Sequence, residues 1–528
     1  MELPLTPTRF LNRAVALYPD KPAVINGDAR FTYREFKERS NRFGHAMSGL
    51  GLGRGAVIAY LGLNNHQILE AYYGVLPSGF VLLPLNVRLR PQDLAYILAD
   101  ADAKALIVGP EFAQLGFGLR EAVPGLDHLI MLGEDVPVNA LSYERLLADA
   151  ATDDIDYMQV DEHDVAEMFY TSGTTGRPKG VELTHRNLYL HALSCIASLT
   201  IVDSDVALVG AVPLFHVNGW GSPHYMVAVG GTMSVIPRFD PAFVCQAVER
   251  DRVTILGMVP TMLMALLNYP DRSKYDLSSL KWVLIGGAPP PPSLIAAARE
   301  QMNVDCFVGY GLSETTPLLT IATVKSTLTD RPADERYARQ AMTGIPGVGV
   351  EIRVVNSEGQ DVAPNGQEIG EIWARGDNVM RGYHNLPEDS ATALAGGWFH
   401  TGDLATIDEE GYIQIKDRKK DIIISGGENI SSVEIEDVFY QHPAVLEAAV
   451  IAVPDEKWGE VPQALVVLKP GHSATPEDLL AFACERLPRF KHPRGVDIYP
   501  EFPKTGTGKI VKTDLREKYW EGYESRVH

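Results

Sequence analysis

Apolar positions recur at helical spacing from Phe10 to Tyr18 and again from Thr32 to Leu50, which predicts two amphipathic helices. The second runs into Gly49, Gly51, Gly53 and Gly55 and then into the strand-like run from Ala56 to Leu61. A helix ends there and a strand begins, whereas a dinucleotide-binding turn follows a strand and opens a helix, so these glycines read as a cap and loop. Further short apolar runs stand at Leu106-Ile107-Val108, Ala207-Leu208-Val209 and Trp282-Val283-Leu284-Ile285. Strand runs alternating with helical stretches predict parallel sheets flanked by helices.

After Gly347 the texture changes to short strands, Val350 to Val355 and Glu368 to Ala374, between Gly, Pro and Asp turns. This predicts a small β-rich subdomain closing a large domain. Roughly a hundred residues follow Lys420, enough for a compact domain of their own. The expected fold is therefore α/β: a large N-terminal domain of helix-flanked sheets plus a β-rich subdomain over residues 1–419, and a small C-terminal domain over 420–528.

Composition narrows the function classes. The chain has 528 residues, 45% of them hydrophobic, which suits a soluble globular protein of more than one domain. A formal net charge of −21 argues against a nucleic-acid or anionic-membrane surface as main partner. Cys195, Cys245, Cys306 and Cys484 are far apart and form no CxxC pair, so neither a zinc knuckle nor a disulfide framework is expected. No basic leader and no apolar run long enough for a membrane span is visible, so a cytoplasmic location is expected. A homodimer is left open.

The densest chemistry lies in Thr171-Ser172-Gly173-Thr174-Thr175-Gly176-Arg177-Pro178-Lys179-Gly180. Glycines let backbone N–H groups turn toward an anion, while hydroxyls and a lysine add donors and charge, so the loop suits polyphosphate. Glu167 to Tyr170 reads as a buried strand and Leu188 onward as a helix, which places the loop at a strand end, where nucleotides bind in α/β folds. Pro178 stands where a Walker A loop needs Gly before its Lys.

Four more segments follow in order: Gly309-Tyr310-Gly311-Leu312-Ser313-Glu314-Thr315-Thr316; Thr401-Gly402-Asp403; Lys416 to Asp421 followed by Ser425-Gly426-Gly427-Glu428-Asn429; and Pro503-Lys504-Thr505-Gly506-Thr507-Gly508-Lys509-Ile510. With the first loop, they resemble in order and spacing the motifs of the adenylate-forming family of acyl-CoA synthetases, nonribosomal-peptide adenylation domains and luciferases, with motifs most similar to those of fatty-acyl-CoA synthetases. The resemblance covers nearly the whole chain.

The resemblance implies roles. Thr171, Ser172, Gly173, Thr174, Thr175 and Lys179 would hold the ATP phosphates, and Glu314 with Thr171 would bind Mg2+. Gly309, Tyr310 and Gly311 would flank adenine, Ser313 the α-phosphate, and Asp403 with Arg418 the ribose. Ser313 stands where relatives often carry Thr. Lys509 would bridge the carboxylate and the α-phosphate, and a mobile α+β C-terminal domain would rotate about a hinge at Lys420, bringing Gly426 and Gly427 beside the pantetheine of coenzyme A. Trp458, Phe490 and Arg494 sit at positions resembling CoA-nucleotide contacts in aryl-CoA ligases, and His492 where those ligases carry Arg. Outside that context an isolated Lys or Asp reads as a solvated or turn residue.

Pro213 to Trp220 resembles the segment beside the acyl pocket, with a His216-x-x-x-Trp220 pattern similar to that of fatty-acyl-CoA synthetases in which the Trp gates an acyl tunnel. With Met258, Gly287, Ala288, Val308, Gly311, Pro317 and Leu318 the expected wall is apolar or small and carries no Asp or Lys to pair with an amino acid, which favours an apolar monocarboxylate. The expected function is an AMP-forming acyl-CoA ligase for a fatty or aryl acid, using ATP, Mg2+ and coenzyme A. The alternatives are a stand-alone adenylating enzyme that loads a carrier protein and a luciferase-like oxidoreductase.

Overall fold

A computed structural model describes residues 2–171, 177–419, 421–425, 428–455, 457–504 and 510–520. The chain divides into two compact units, one of Met1–Glu351 and Ala374–Phe399, the other of Ile352–Trp373 and His400–His528.

The first unit holds two large sheets. One has eight strands in the order Gly382–Tyr383, Lys179–Thr184, Val165–Thr171, Val81–Pro84, Val57–Leu61, Ala103–Val108, His128–Met131 and Leu141–Ser142. The other has nine, with the parallel strands Asp305–Gly311, Trp282–Ile285, Ile255–Met258, Val206–Val209, Thr232–Val235 and Pro22–Asn26 at its centre. One core joins a face of each sheet: Ile58, Tyr60 and Ile107 from the first, Ala207, Val209 and Leu284 from the second, with Tyr72, Tyr73 and Leu76 of the helix His66–Ser78. Their neighbours point the other way. Val57, Ala59 and Leu61 pack on the helices Pro91–Asp100 and Ala113–Ala122. Leu208, Val283 and Ile285 pack on Pro241–Asp251 and Pro292–Met302. Strands buried on both faces are apolar at most positions, which is why many of them read as short unbroken runs.

The predicted helices form at Thr8–Leu17 and Tyr33–Gly49, the second opened by a capping box of Thr32 and Glu35. The glycine cluster is a loop, with Gly51 and Gly55 at positive φ. The Thr171 to Gly180 segment begins at a strand end, as expected, and a further strand precedes the helix. The segment joins the antiparallel strands Val165–Thr171 and Lys179–Thr184, because Val181 and Leu183 alternate with polar neighbours, and only then does Thr184 cap the helix His185–Leu199.

The second unit carries a four-stranded sheet, ordered Val350–Val355, Gly370–Gly376, Phe399–Ile407 and Ile413–Arg418, and a five-stranded sheet built on the long hairpin Val445–Asp455 and Gly459–Leu468. Helices Ser432–Tyr440 and Pro476–Cys484 cover one face of that hairpin, and Leu515 of the helix Lys512–Trp520 packs on the other. The architecture is α/β with a small α+β C-terminal domain, as expected. Among the described residues no helix is long and apolar enough to cross a membrane, and the four cysteines are free.

Candidate active site

Thr171 and Lys179 pair across the hairpin, so the ends of the phosphate-type loop are fixed at the sheet; Ser172, Gly173, Thr174 and Thr175 lie outside the described residues. The Lys179 ammonium is 3.0 Å from Asp389 Oδ1 and 5.2 Å from the centre of the Tyr383 ring. Tyr383 pairs with Val181 on the neighbouring strand and donates its hydroxyl to Glu314 Oε1 at 2.9 Å. Burial and the adjacent Glu314 carboxylate push the Tyr383 phenol well above its ordinary range, so it stays a proton donor. Tyr383 thereby links Lys179 to Glu314. Neither Tyr383 nor Asp389 stands out in the sequence.

Gly309, Tyr310 and Gly311 end the strand Asp305–Gly311, and Ser313 and Glu314 stand in the tight turn Ser313–Thr315. That turn packs against the strand Lys179–Thr184. Asn378, buried, holds it from behind: its side-chain Nδ2 donates to Thr315 O at 3.0 Å and Leu318 O at 3.1 Å, and its backbone carbonyl accepts the Thr316 hydroxyl at 2.6 Å. A Cβ at Gly311 would lie 1.7 Å from the Pro317 carbonyl oxygen. Gly311→Ala is therefore expected to force the backbone apart and lower stability by about 3 kcal/mol. A fall in the melting temperature of the first unfolding transition checks this; an unchanged value would show that the turn relaxes freely.

In the second unit Asp403 and Arg418 face each other across an antiparallel pair, and Arg418 Nε lies 2.7 Å from the buried Asp403 carboxylate. Lys509 and Lys420 lie outside the described residues, as do Gly426 and Gly427. Lys504 and Ile510, on either side of residues 505–509, form an antiparallel bridge. Trp458 and Phe490 are 49% and 52% exposed, with Lys457 and Lys491 over their rings at 4.7 and 5.3 Å. Arg494 pairs with Asp455 at 3.0 Å, and His492 Nε2 donates to Leu487 O at 3.0 Å.

The expected acyl-pocket residues are only partly brought together. The Trp220 indole lies across two glycines, since Cβ atoms at Gly257 and Gly286 would stand 3.1 and 2.7 Å from its ring. It lines a small cavity with Tyr225, Trp282 and Leu284. Gly287 and Ala288 are exposed, and Pro317 is buried. Met258 is placed elsewhere: successive strand side chains face opposite ways, so it packs into the outer core with Leu263 and Ile285 while Gly257 faces Trp220. Desolvation, then Arg88, lowers the His216 imidazole to about 4 although part of its surface meets solvent, so it is neutral at pH 7.

The donors at Thr171 and Glu314 fit a magnesium ion carried by phosphates, which takes one carboxylate and keeps other oxygen ligands. Among the described residues no group of three or more His, Cys, Asp or Glu could cage a metal alone.

Comparison with known proteins places the chain in a family. The family described as AMP-binding enzyme matches residues 11–384, and the AMP-binding enzyme C-terminal domain matches 434–509. A long-chain-fatty-acid–CoA ligase of Thermus thermophilus is 39% identical over 97% of this chain and 95% of that protein. A feruloyl-CoA synthase of an Amycolatopsis species is 38% identical over 96% and 98%. The crystal structure of an anthranilate CoA ligase with anthranoyl-AMP superposes with a TM-score of 0.89 at 30% identity, covering 98% of both chains. The chain belongs to the AMP-binding enzyme family, among its AMP-forming acyl-CoA ligases.

Proposed function

We propose that this protein activates an apolar monocarboxylic acid, a medium- or long-chain fatty acid or an aryl acid, and that the observation carrying this reading is the Trp220 indole laid over Gly257 and Gly286. An aromatic wall on a glycine floor, in a cavity also lined by Trp282 and Leu284, offers contact area and no counter-charge for an amine or second carboxylate. The relatives named above act on fatty and aryl acids, which supports the same class.

A carboxylate is a poor electrophile; attack of its oxygen on the α-phosphorus of ATP forms an acyl-adenylate and expels pyrophosphate, and the CoA thiolate then attacks the acyl carbon and expels AMP. Two anions must first be held together against their repulsion. Lys179 and the hydroxyls from Thr171 to Thr175 would hold the β- and γ-phosphates. Tyr310 would present a ring to adenine, Ser313 would donate to the α-phosphate, and Asp403, oriented by Arg418, would accept from the ribose hydroxyls. Mg2+ held through Glu314 and Thr171 would neutralise charge on the leaving pyrophosphate. Lys509 would bridge carboxylate and α-phosphate. Rotation about Lys420 would bring Gly426 and Gly427 beside the pantetheine, with Trp458 at the CoA nucleotide.

The test is pyrophosphate release with ATP, CoA and a panel of carboxylic acids, with mass detection of the thioester. Acid-dependent pyrophosphate without any CoA thioester would point instead to a carrier-protein acceptor, and light emission on a luciferin to the oxidoreductase reading.

Asp389→Asn is expected to lower the ATP KM about two- to fivefold, because the carboxylate competes with phosphate for the Lys179 ammonium and partly exposed ion pairs hold by 1 kcal/mol or less. ATP KM at saturating acid measures this. A raised KM would mean that Asp389 orients the lysine.

A further inference from the structure

The strand leading into the phosphate-type loop buries a carboxylate that the chemistry above does not use. Glu167 is fully buried, and its two oxygens accept hydrogen bonds from Asn218 Nδ2 and His224 Nε2, each at 2.7 Å. His224 Nδ1 is buried without a partner, which fits the tautomer carrying its proton on Nε2. A carboxylate removed from water needs such donors, and both come from one short segment.

That segment has an unusual backbone. Val217, Asn218, Gly219, Trp220 and Gly221 have φ of 41°, 46°, 59°, 61° and 82°, five successive residues in the left-handed half of conformational space. Val, Asn and Trp adopt it only when their surroundings impose it. Asn218, itself fully buried, supplies such a constraint: its carbonyl oxygen accepts Gly221 N at 2.6 Å, closing the turn on itself, while its amide nitrogen is tied to Glu167. Outside the turn, the Tyr72 hydroxyl donates to Leu214 O at 2.7 Å and the Tyr73 hydroxyl to Pro223 O at 3.2 Å, so the flanks are anchored separately. The residue carried on the strained part is Trp220.

We infer that Glu167, acting through Asn218, is a positioning residue that sets where the Trp220 indole lies and so determines which acids the enzyme accepts. The inference rests on the proposed placement of Trp220 at the acyl pocket. Glu167 touches no substrate in this account; it fixes a strained turn whose relaxation would swing the indole off Gly257 and Gly286.

The test compares kcat/KM across straight-chain and aryl acids, with ATP KM and melting temperature as controls. Trp220→Ala checks the underlying reading: bulkier or longer acids should gain relative to small ones. Asn218→Gly keeps the left-handed backbone accessible but removes both side-chain bonds, and should shift the long-to-short acid ratio about tenfold in the direction of Trp220→Ala while leaving ATP KM within about twofold. Asn218→Asp sets two carboxylates in contact and should shift the ratio further. Combining Glu167→Gln with Asn218→Asp reverses the polarity at unchanged net charge: the introduced amide donates to the introduced carboxylate and its oxygen still accepts from His224. That double variant should restore the original profile to within about twofold.

An unchanged profile in Trp220→Ala would sink the acyl-pocket reading itself. A shifted Trp220→Ala beside an Asn218→Gly that slows every acid equally, or a folded double variant that keeps the altered profile, would overturn the role of Glu167 alone. Should Asn218→Asp fail to fold, Asn218→Gly decides.

Discussion

Lys509→Ala is expected to abolish adenylation while largely sparing thioester formation from supplied acyl-adenylate. The charge is needed only while the carboxylate attacks the α-phosphate; once the adenylate exists, the thiol attacks an uncharged acyl carbon. Loss of one oriented charge contact should cost on the order of 3 kcal/mol or more in the first step, a fall of two to three powers of ten. The two half-reactions are measured separately, by acid-dependent pyrophosphate release and by CoA consumption with synthetic adenylate. Equal losses in both would refute the division of labour.

Lys420→Pro should produce the opposite pattern. A ring that fixes φ restricts rotation at the proposed hinge, while the adenylating arrangement stays accessible. Pyrophosphate should appear in a single stoichiometric burst with bound adenylate, and its transfer to CoA should slow by about tenfold or more. Unchanged thioester output would place the hinge elsewhere. The pair of variants is more informative than either alone, since a globally damaged protein would lose both steps together.

Much of the fold was legible because strands buried on both faces leave a strong mark: Trp282-Val283-Leu284-Ile285 reads as a strand and is one. The hairpin strand Lys179–Thr184 was missed because its alternation is short and runs into the helix that Thr184 caps. Met258 was misplaced for a related reason, as the sequence marks it apolar but does not say which face of the strand it occupies. The family was legible through the order and spacing of the motifs. Tyr383, Asp389 and Asn378 were not, because each meets the site by a contact across roughly 60 to 210 positions of chain that no local pattern encodes. Glu167 stood in plain view, one polar position in a buried strand, and its partners Asn218 and His224 lie more than 50 residues away.

The four free cysteines bear on how such an enzyme survives its own intermediate. An acyl-adenylate is an activated acyl donor that any available thiolate would capture. Cys195, Cys245 and Cys306 are buried, and desolvation pushes their thiols up: well above the ordinary range for Cys195, to about 11 for Cys245 and about 12 for Cys306. The half-buried Cys484 is shifted upward by desolvation as well. Only a thiolate is a competent nucleophile, so the three buried thiols, desolvated and shifted upward, are poor acyl acceptors at pH 7. Sulfur chemistry in the core is thereby reserved for the incoming thiol: a reagent that alkylates free CoA should spare Cys195, Cys245 and Cys306 in the folded enzyme and reach Cys484 first.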